Sequence, residues 1–249
     1  EDELLDPATT LAAAVKLEAL GGSSTQTLRV GLESTSPWVR FASAEALMYL
    51  GHTDGAGELA RLAEDHPALR GPCLKALAAT DDSSCTDRLG ELAASPDAHL
   101  RYGAFLALRL ADENAPAARG TLVYRSYWLH QLAPGSAPLV HLTSDRRCEV
   151  VVFGDGPKLR GPFTLPVGSD FTVRAPGGGG PARVTRIVST KTDLEEKTVP
   201  CAADLASVLA AVARLGGGYE QAVEFIRKAD RAQVLGAPLA IDAVPAEMG

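Results

Sequence analysis

Pro37-Trp38-Val39-Arg40 is the stretch that decides the first half of the fold, because its pattern returns along the chain. Pro67-Ala68-Leu69-Arg70 follows about 30 residues later, and Asp97-Ala98-His99-Leu100-Arg101 comes after a further interval of nearly the same length. An alanine–leucine pair follows each arginine at one fixed distance, as Ala46-Leu47, Ala76-Leu77 and Ala107-Leu108. Such self-similarity at a fixed period is typical of stacked helices.

Hydrophobic periodicity predicts that the repeating unit is a pair of helices joined by a proline-containing turn. In the unit that begins at Pro37, apolar residues follow the spacing of one helix face: Val39, Ala42, Ala46, Leu47 and Leu50. Gly51 stands where a glycine commonly ends a helix, and residues 8–20 have the pattern of the last helix of a preceding unit. One unit cannot bury its apolar face alone, so we expect neighbouring units to stack as an α-solenoid.

Two motifs in this half carry a family resemblance. Pro37-x-Val39-Arg40 and Ala44-Glu45-Ala46-Leu47 resemble HEAT-like helical repeats of the short bacterial variety, and the resemblance covers residues 8–112. The period is shorter than the ~40–47 residues usual for HEAT repeats, and the third unit shifts its turn by one residue. The resemblance implies an N-terminal HEAT-like α-solenoid, which we assign to a repeat domain over residues 1–116.

The repeated arginines Arg40, Arg70 and Arg101 allow two interpretations. They are either a structural ladder at the helix starts, with their stems lying over neighbouring turns, or a charged strip that binds a partner. We favour the structural ladder, because a position that repeats with the unit first serves the contact between units.

The second half, residues 117–249, has a shorter apolar period that predicts strands. We predict strands at residues 126–132, 138–143, 148–153, 159–165, 171–173 and 183–189, with a bulge in the last. Helices at 204–215 and 219–234 and an edge strand at 239–244 are predicted to follow. Strands grouped before helices indicate α+β. We therefore expect a multidomain α and α+β protein, with a solenoid followed by an antiparallel β-rich module and two C-terminal helices.

A second resemblance concerns about residues 100–249. The motifs that carry it are Pro138-Leu139-Val140-His141, Glu149-Val150-Val151-Val152-Phe153-Gly154, Leu215-Gly216-Gly217-Gly218-Tyr219 and Asp242-Ala243-Val244-Pro245. They are similar to the C-terminal region of planctomycete proteins labelled flagellar P-ring proteins. The resemblance implies a structural role in the bacterial cell envelope or periplasm, without catalysis. Without it, we expect a cytoplasmic protein.

Charge and composition narrow the range of partner classes that we expect. The net charge is −7, and the acidic residues concentrate in the first half, whereas nucleic-acid binding needs clustered Lys and Arg. Nucleic acid is therefore disfavoured. The apolar runs are shorter than the ~20 residues of a transmembrane helix. The four cysteines form no C-x-x-C pair, so we expect reduced thiols. Since the chain starts at Glu1, we expect a fragment or a processed product, which leaves the compartment open.

Sequence motifs for catalysis or for cofactor and metal binding are weak, and we assign no residues to these roles. The run 177–180 lacks a following Gly-Lys-Ser/Thr and a helix, so it predicts a hairpin tip rather than a phosphate loop. Glu195-Glu196 predicts a solvated loop. His130 and His141 lie on candidate neighbouring strands with Cys148 on the next, which leaves a metal site or a Cys–His dyad as an alternative if all three face one side.

Tyr124, Tyr127 and Trp128 form the one unusual cluster, because the chain is only 5% aromatic. They are predicted to mark either the place where the two domains dock or a pocket for a protein partner. We expect a non-enzymatic scaffold or protein–protein interaction module, with a flagellar P-ring-like envelope protein as one identity. The alternative is a small-molecule or metal-binding domain, or an unrecognised enzyme, that uses the β-rich module.

Overall fold

The computed structural model describes four stretches of the chain: residues 9–115, 118–143, 147–189 and 194–245. These residues divide into two compact units. The first holds the residues up to Arg119 together with Val244 and Pro245, and the second is Gly120–Ala243. The described part of the first unit is helical, and the described part of the second contains two sheets and two helices.

The predicted helical first half is confirmed. Its described α-helices are α1 (Thr10–Ala19), α2 (Thr25–Gly31), α3 (Pro37–Tyr49), α4 (Asp54–Asp65), α5 (Arg70–Ala78), α6 (Ser83–Leu92) and α7 (Ala98–Ala111). Short 3-10 segments at Gly21–Ser24 and Pro67–Leu69 lie between them. Each predicted proline or aspartate turn therefore stands at or just before the start of a helix.

Proline and aspartate fix where three of these helices begin. Pro37 is the first residue of α3, where its missing N–H removes no helical hydrogen bond. Asp97 precedes α7, and its carboxylate accepts a hydrogen bond from the Leu100 N–H at 3.0 Å. Asp82 caps α6 in the same way through the Ser84 N–H at 2.7 Å.

Small apolar residues let the helices of the first unit pack closely. The face predicted for α3 is buried, since Val39, Ala42, Ala46 and Leu47 are each at most 2% exposed. Along the chain, α3 packs on α4, α4 on α5, and both α5 and α6 on α7. At Gly103 in α7, an added Cβ would lie 2.7 Å from a methyl carbon of Leu74 in α5. A larger residue there would force the Leu74 side chain to move, together with Pro245, whose Cγ would lie 2.5 Å from that Cβ.

The second unit holds the strands and the last two helices. The strands are β1 (Thr121–Val123), β2 (Tyr127–Leu132), β3 (Leu139–Leu142), β4 (Glu149–Phe153), β5 (Phe163–Val167), β6 (Phe171–Ala175), β7 (Ala182–Ser189), β8 (Leu194–Cys201) and β9 (Leu239–Ile241). The helices are α8 (Leu205–Arg214) and α9 (Tyr219–Arg231), which lie between β8 and β9 in sequence. The α+β arrangement and the two C-terminal helices are therefore confirmed.

The expectation of an antiparallel module does not hold for the five-stranded sheet, whose order is β1-β2-β4-β3-β9. β4 runs parallel to β2, and β9 runs parallel to β3, so this sheet is mixed. The mixture arises because β3 turns back into β4 as an antiparallel pair and β4 then occupies the place beside β2. β4 is buried along its whole length, as its continuous apolar run predicts.

The four-stranded sheet is antiparallel, in the order β5-β6-β7-β8. Three details of the prediction are wrong here. β5 begins at Phe163 rather than at residue 159, and β7 pairs with β8 in unbroken register without the expected bulge. Glu195 and Glu196 lie in β8 rather than in a loop. Both side chains are exposed, so the burial alternation that identifies a strand is absent at these positions.

The core of the second unit joins both helices to both sheets. α8 begins after Asp204, whose carboxylate accepts a hydrogen bond from the Ser207 N–H at 2.8 Å. The helices contribute Val208, Leu209, Val212, Phe225 and Ile226, and the sheets contribute Val140, Val150, Val152, Val173 and Val184. On α9, Glu224 and Lys228 form an ion pair, with their charged atoms 2.7 Å apart.

Candidate functional site

The two later arginines of the repeat are buried and bonded to the protein backbone. Arg70 is 7% exposed, and its Nε donates a hydrogen bond to the Ala63 carbonyl at 3.1 Å. Arg101 is 2% exposed, and its Nε donates to the Ala93 carbonyl at 3.2 Å. Both carbonyls stand at the end of the preceding helix, where no helical N–H remains to pair with them. Each arginine therefore joins two consecutive helices.

Arg40 makes a related but more exposed set of contacts. Its Nε lies 2.8 Å from a carboxylate oxygen of Glu58 in α4, and its Nη1 donates to the Ser34 carbonyl at 2.9 Å. Arg70 likewise pairs with Asp97 at 3.1 Å. Because these guanidinium groups are bonded inside the helical unit, the geometry favours the structural ladder over a strip that binds a partner. Burial also lowers the pKa of Arg101.

The aromatic cluster does not form one surface. Tyr127 is 1% exposed, and its hydroxyl donates to the Leu209 carbonyl in α8 at 3.1 Å. Tyr124, which is 59% exposed, lies in a turn beside Cys201 and Arg214. Trp128 is next to Tyr127 on β2, and successive strand residues point to opposite faces. The three aromatic side chains therefore lie in separate surroundings within the second unit.

His130 and His141 lie on one face of the five-stranded sheet, on either side of Val151. They are 1% and 0% exposed, whereas the Cys148 thiol is exposed, so the predicted trio does not converge. The Ala243 N–H donates to His141 Nε2 at 3.1 Å, which fixes that nitrogen as an acceptor and places the ring proton on Nδ1. Within the described ranges, no group of three His, Cys, Asp or Glu side chains could hold a metal ion.

Glu149 is the buried charge in this region, at 1% exposure. Its Oε2 lies 3.3 Å from Arg147 Nε and 3.5 Å from His130 Nε2. The Arg147 guanidinium also lies over the Trp128 ring, 5.3 Å from its centre. A buried carboxylate is tolerated only with such partners. Through these contacts, Trp128, His130 and Glu149 form one structural group at the start of β4.

Tyr219, the first residue of α9, is tied to the sheet by its hydroxyl. That oxygen lies 3.0 Å from the carbonyl oxygens of both Thr143 and Glu149. Burial, followed by the charges of Cys148 and Glu149, raises the pKa of Tyr219 to about 12. The phenol is therefore protonated at neutral pH and acts as a hydrogen-bond donor that fixes the start of α9.

A groove of about 560 Å³ runs beside α9 in the second unit. Leu142, Val223 and Ile241 give it an apolar floor. On α9, the charged residues that line it lie on one helix face: Glu220, Glu224, Arg227, Lys228 and Arg231. Ile241, in β9, is 41% exposed. An apolar floor with a charged rim is the usual make-up of a binding surface.

The charges of the groove differ in whether they are already engaged. Glu224 pairs with Lys228 at 2.7 Å and accepts a hydrogen bond from the Gly168 N–H at 2.8 Å. The hydrogen bond from Lys228 is the main reason why the pKa of Glu224 is lowered. Arg227 and Arg231 are exposed, and within the described residues their guanidinium groups make no ion pair or hydrogen bond. These two cations are free to meet a ligand.

This groove was not among the sites expected from the sequence. The charged stripe of α9 is visible in the sequence at helical spacing, and it is the signal that could have located one wall. The other wall needs β3 and β9 to be neighbours, and they are far apart in the chain. Parallel pairing of two distant short strands leaves no local signal.

No family model, curated protein or solved structure matches this chain. Its functional interpretation therefore rests on the geometry of its own residues. In the stretches that the structure describes, no helix combines the length and the apolar character needed to cross a bilayer.

Proposed function

We propose that this protein is a non-enzymatic interaction module that binds a segment of a protein partner in the groove beside α9. The observation that carries the proposal is the pairing of an apolar floor with two unengaged arginines. Leu142 and Val223 supply apolar surface next to Ile241, and Arg227 and Arg231 supply charge at the rim. Apolar contact gives affinity, and rim charges give orientation and partner choice.

The sequence supports a scaffold role for the rest of the chain. The HEAT-like pattern of residues 8–112 is typical of α-solenoids, which serve as protein-binding scaffolds. The resemblance to flagellar P-ring proteins adds a structural role in the bacterial envelope to the proposal. In this arrangement, the helical unit is the scaffold and the second unit carries the groove that binds the partner.

Selection of peptides tests the proposal. A displayed library of random peptides is panned against the full chain, and the affinity of each enriched peptide is measured by fluorescence anisotropy. We expect Ile241→Lys to weaken binding at least tenfold. The matched control is Ile187→Lys, because Ile187 in β7 is also 41% exposed and lies away from the groove. Failure to enrich any peptide, or equal losses in both variants, would overturn the proposal.

A small-molecule site is the second candidate, and the volume of the groove favours it. About 560 Å³ lies inside the range of ligand pockets, which is roughly 300–1,000 Å³. Its test is a thermal-shift screen of metabolites on the same two variants. A compound that raises the Tm of the native chain and of Ile187→Lys, but not of Ile241→Lys, would support this candidate.

A further inference from the structure

β9 forms one edge of the five-stranded sheet, and its outer side carries unused backbone groups. Within the described residues, β9 pairs only with β3. Val140 N–H donates to the Pro238 carbonyl, and Asp242 N–H donates to the Leu142 carbonyl, both at 3.0 Å. Backbone groups alternate in direction along a strand. The N–H and C=O groups of Leu239 and Ile241 therefore point away from β3, where a further strand would lie.

A strand added at this edge would lie beside the groove. Strands in a sheet are about 4.8 Å apart, so the added strand would run along the outer side of Leu239 and Ile241. In register, Ile241 stands opposite Leu142, and both residues line the groove together with Val223 of α9. Every second side chain of the added strand would then face α9, and the others would face the opposite side of the sheet.

Three cations and two carboxylates of α9 line the groove, and its Arg227–Arg231 end, away from the exposed Glu220, favours an acidic occupant. Arg227 and Arg231 are four residues apart on a helix, so they are neighbours on its surface and repel each other. Both are exposed and unengaged in the described part of the chain, whereas Lys228 is neutralised by Glu224 at 2.7 Å. Carboxylates of a partner would form charge-assisted hydrogen bonds with the two guanidinium groups.

We propose that the partner is an extended segment that joins the sheet as a strand beside β9 and presents alternate apolar and acidic side chains to α9. The inference rests on the proposed function of the groove and names its partner class. The backbone of the segment bonds to Leu239 and Ile241. Its apolar side chains meet Ile241 and Val223, and its carboxylates meet Arg227 and Arg231. Binding by strand addition takes affinity from main-chain hydrogen bonds and specificity from alternate side chains.

The probe is an octapeptide with blocked ends that repeats the order threonine, valine, threonine, glutamate. Valine and glutamate therefore lie on one face of the strand and threonine lies on the other. Its affinity for the full chain is measured by fluorescence anisotropy, and amide hydrogen exchange is followed by NMR. We expect saturable binding and slower exchange of the Leu239 and Ile241 amides on binding, with little change at Ala240. A version with lysine in place of glutamate should bind at least tenfold more weakly.

Two N-methylated versions of the peptide test the backbone bonds directly. One is methylated at the odd amides and the other at the even amides, so only one of them blocks the groups that face β9. We expect one version to lose at least tenfold in affinity and the other to stay within threefold. The double variant Arg227→Glu with Arg231→Glu should prefer the lysine peptide, whereas the control Arg183→Glu, at another exposed arginine, should keep the original preference.

The outcomes separate this inference from the proposed function. If both methylated peptides bind equally, or if Leu239 and Ile241 show no added protection, strand addition is wrong. The groove can still bind partners in that case, provided that library-selected peptides depend on Ile241. If the octapeptide does not bind while library-selected peptides do, the acidic strand is wrong. If neither binds, the inference and the proposed function both fail.

Discussion

The repeated arginines of the helical unit and the two arginines beside the groove carry the same charge in opposite surroundings. Arg70 and Arg101 are 7% and 2% exposed and donate hydrogen bonds to carbonyls at helix ends. Arg227 and Arg231 are exposed, and no carboxylate or carbonyl among the described residues accepts from their guanidinium groups. A buried cation must be paired to be tolerated, whereas an exposed one remains available to a partner.

The difference teaches where to look for function in a chain whose sequence repeats a charged residue. Repetition of a charged residue in the sequence draws attention to Arg40, Arg70 and Arg101, yet their contacts lie inside the helical unit. The unrepeated arginines Arg227 and Arg231 in α9 are exposed and make no ion pair or hydrogen bond with the other described residues. Stability measurements can therefore separate the repeated arginines from the two in α9. We expect the loss of unfolding free energy to be smaller where the substituted side chain is more exposed.

The largest loss is expected for Arg101→Ala. It removes the hydrogen bond to the Ala93 carbonyl and leaves a cavity where the arginine stem packed. Losing a buried charged donor costs about 3 kcal/mol of unfolding free energy. Urea unfolding followed by far-UV circular dichroism measures it. A loss below about 1 kcal/mol would contradict the structural role of the buried arginines.

Asp97→Ala is expected to rank second, at about 2 kcal/mol, because Asp97 both caps α7 and pairs with Arg70. The variant Asp97→Asn is the control, because it keeps an acceptor for the Leu100 N–H and removes only the charge. Its loss should be smaller than that of the alanine variant in the same urea titration. Equal losses would mean that the ion pair, rather than the cap, carries the effect.

Acid should remove part of the contribution of Asp97. Burial alone would raise the pKa of this carboxyl, but the Leu100 N–H and the Arg70 guanidinium together lower it below its ordinary value. A carboxyl whose folded-state pKa is lowered stabilises the protein above its unfolded pKa of about 3.9 and loses this contribution as the pH falls further. The gap between the native chain and Asp97→Asn should therefore not decrease between pH 7 and pH 5 and should shrink below pH 4.

Arg40→Ala is expected to cost about 1 kcal/mol, because the ion pair with Glu58 is partly open to solvent. A double-mutant cycle with Glu58→Ala isolates the pair, and its coupling energy should be roughly 0.5–1 kcal/mol and decrease in high salt. A coupling energy as large as the loss at Arg101 would show that exposure does not set the order of these arginines.

Much of the helical unit could be predicted because its signals are local. The Pro37 and Asp97 turns, the buried face of α3 and the helix starts depend on residues within a turn or two of each other. The same holds for α8, α9 and the pair formed by Glu224 and Lys228. These features come from periodicity and capping, which a single sequence contains.

The mixed sheet and the candidate site could not be predicted because they depend on pairing between distant segments. The placement of β4 between β2 and β3 and the parallel contact of β9 with β3 have no local pattern. The histidines illustrate the limit. His130 and His141 share a face of the sheet, as their strand positions allow. Only the three-dimensional contacts reveal that the Ala243 N–H is bonded to His141 Nε2 and that Cys148 is exposed.

The smallest effect is expected for Arg227→Ala, which should leave the unfolding free energy within about 0.5 kcal/mol of the native value. Removing one of two like charges four residues apart relieves repulsion, so a gain of a few tenths of a kcal/mol is the expected direction, and 1 M salt should abolish it. Urea unfolding at low and high salt measures both. A loss above about 1 kcal/mol would place Arg227 among the structural arginines and remove the charge complementarity on which an acidic partner depends.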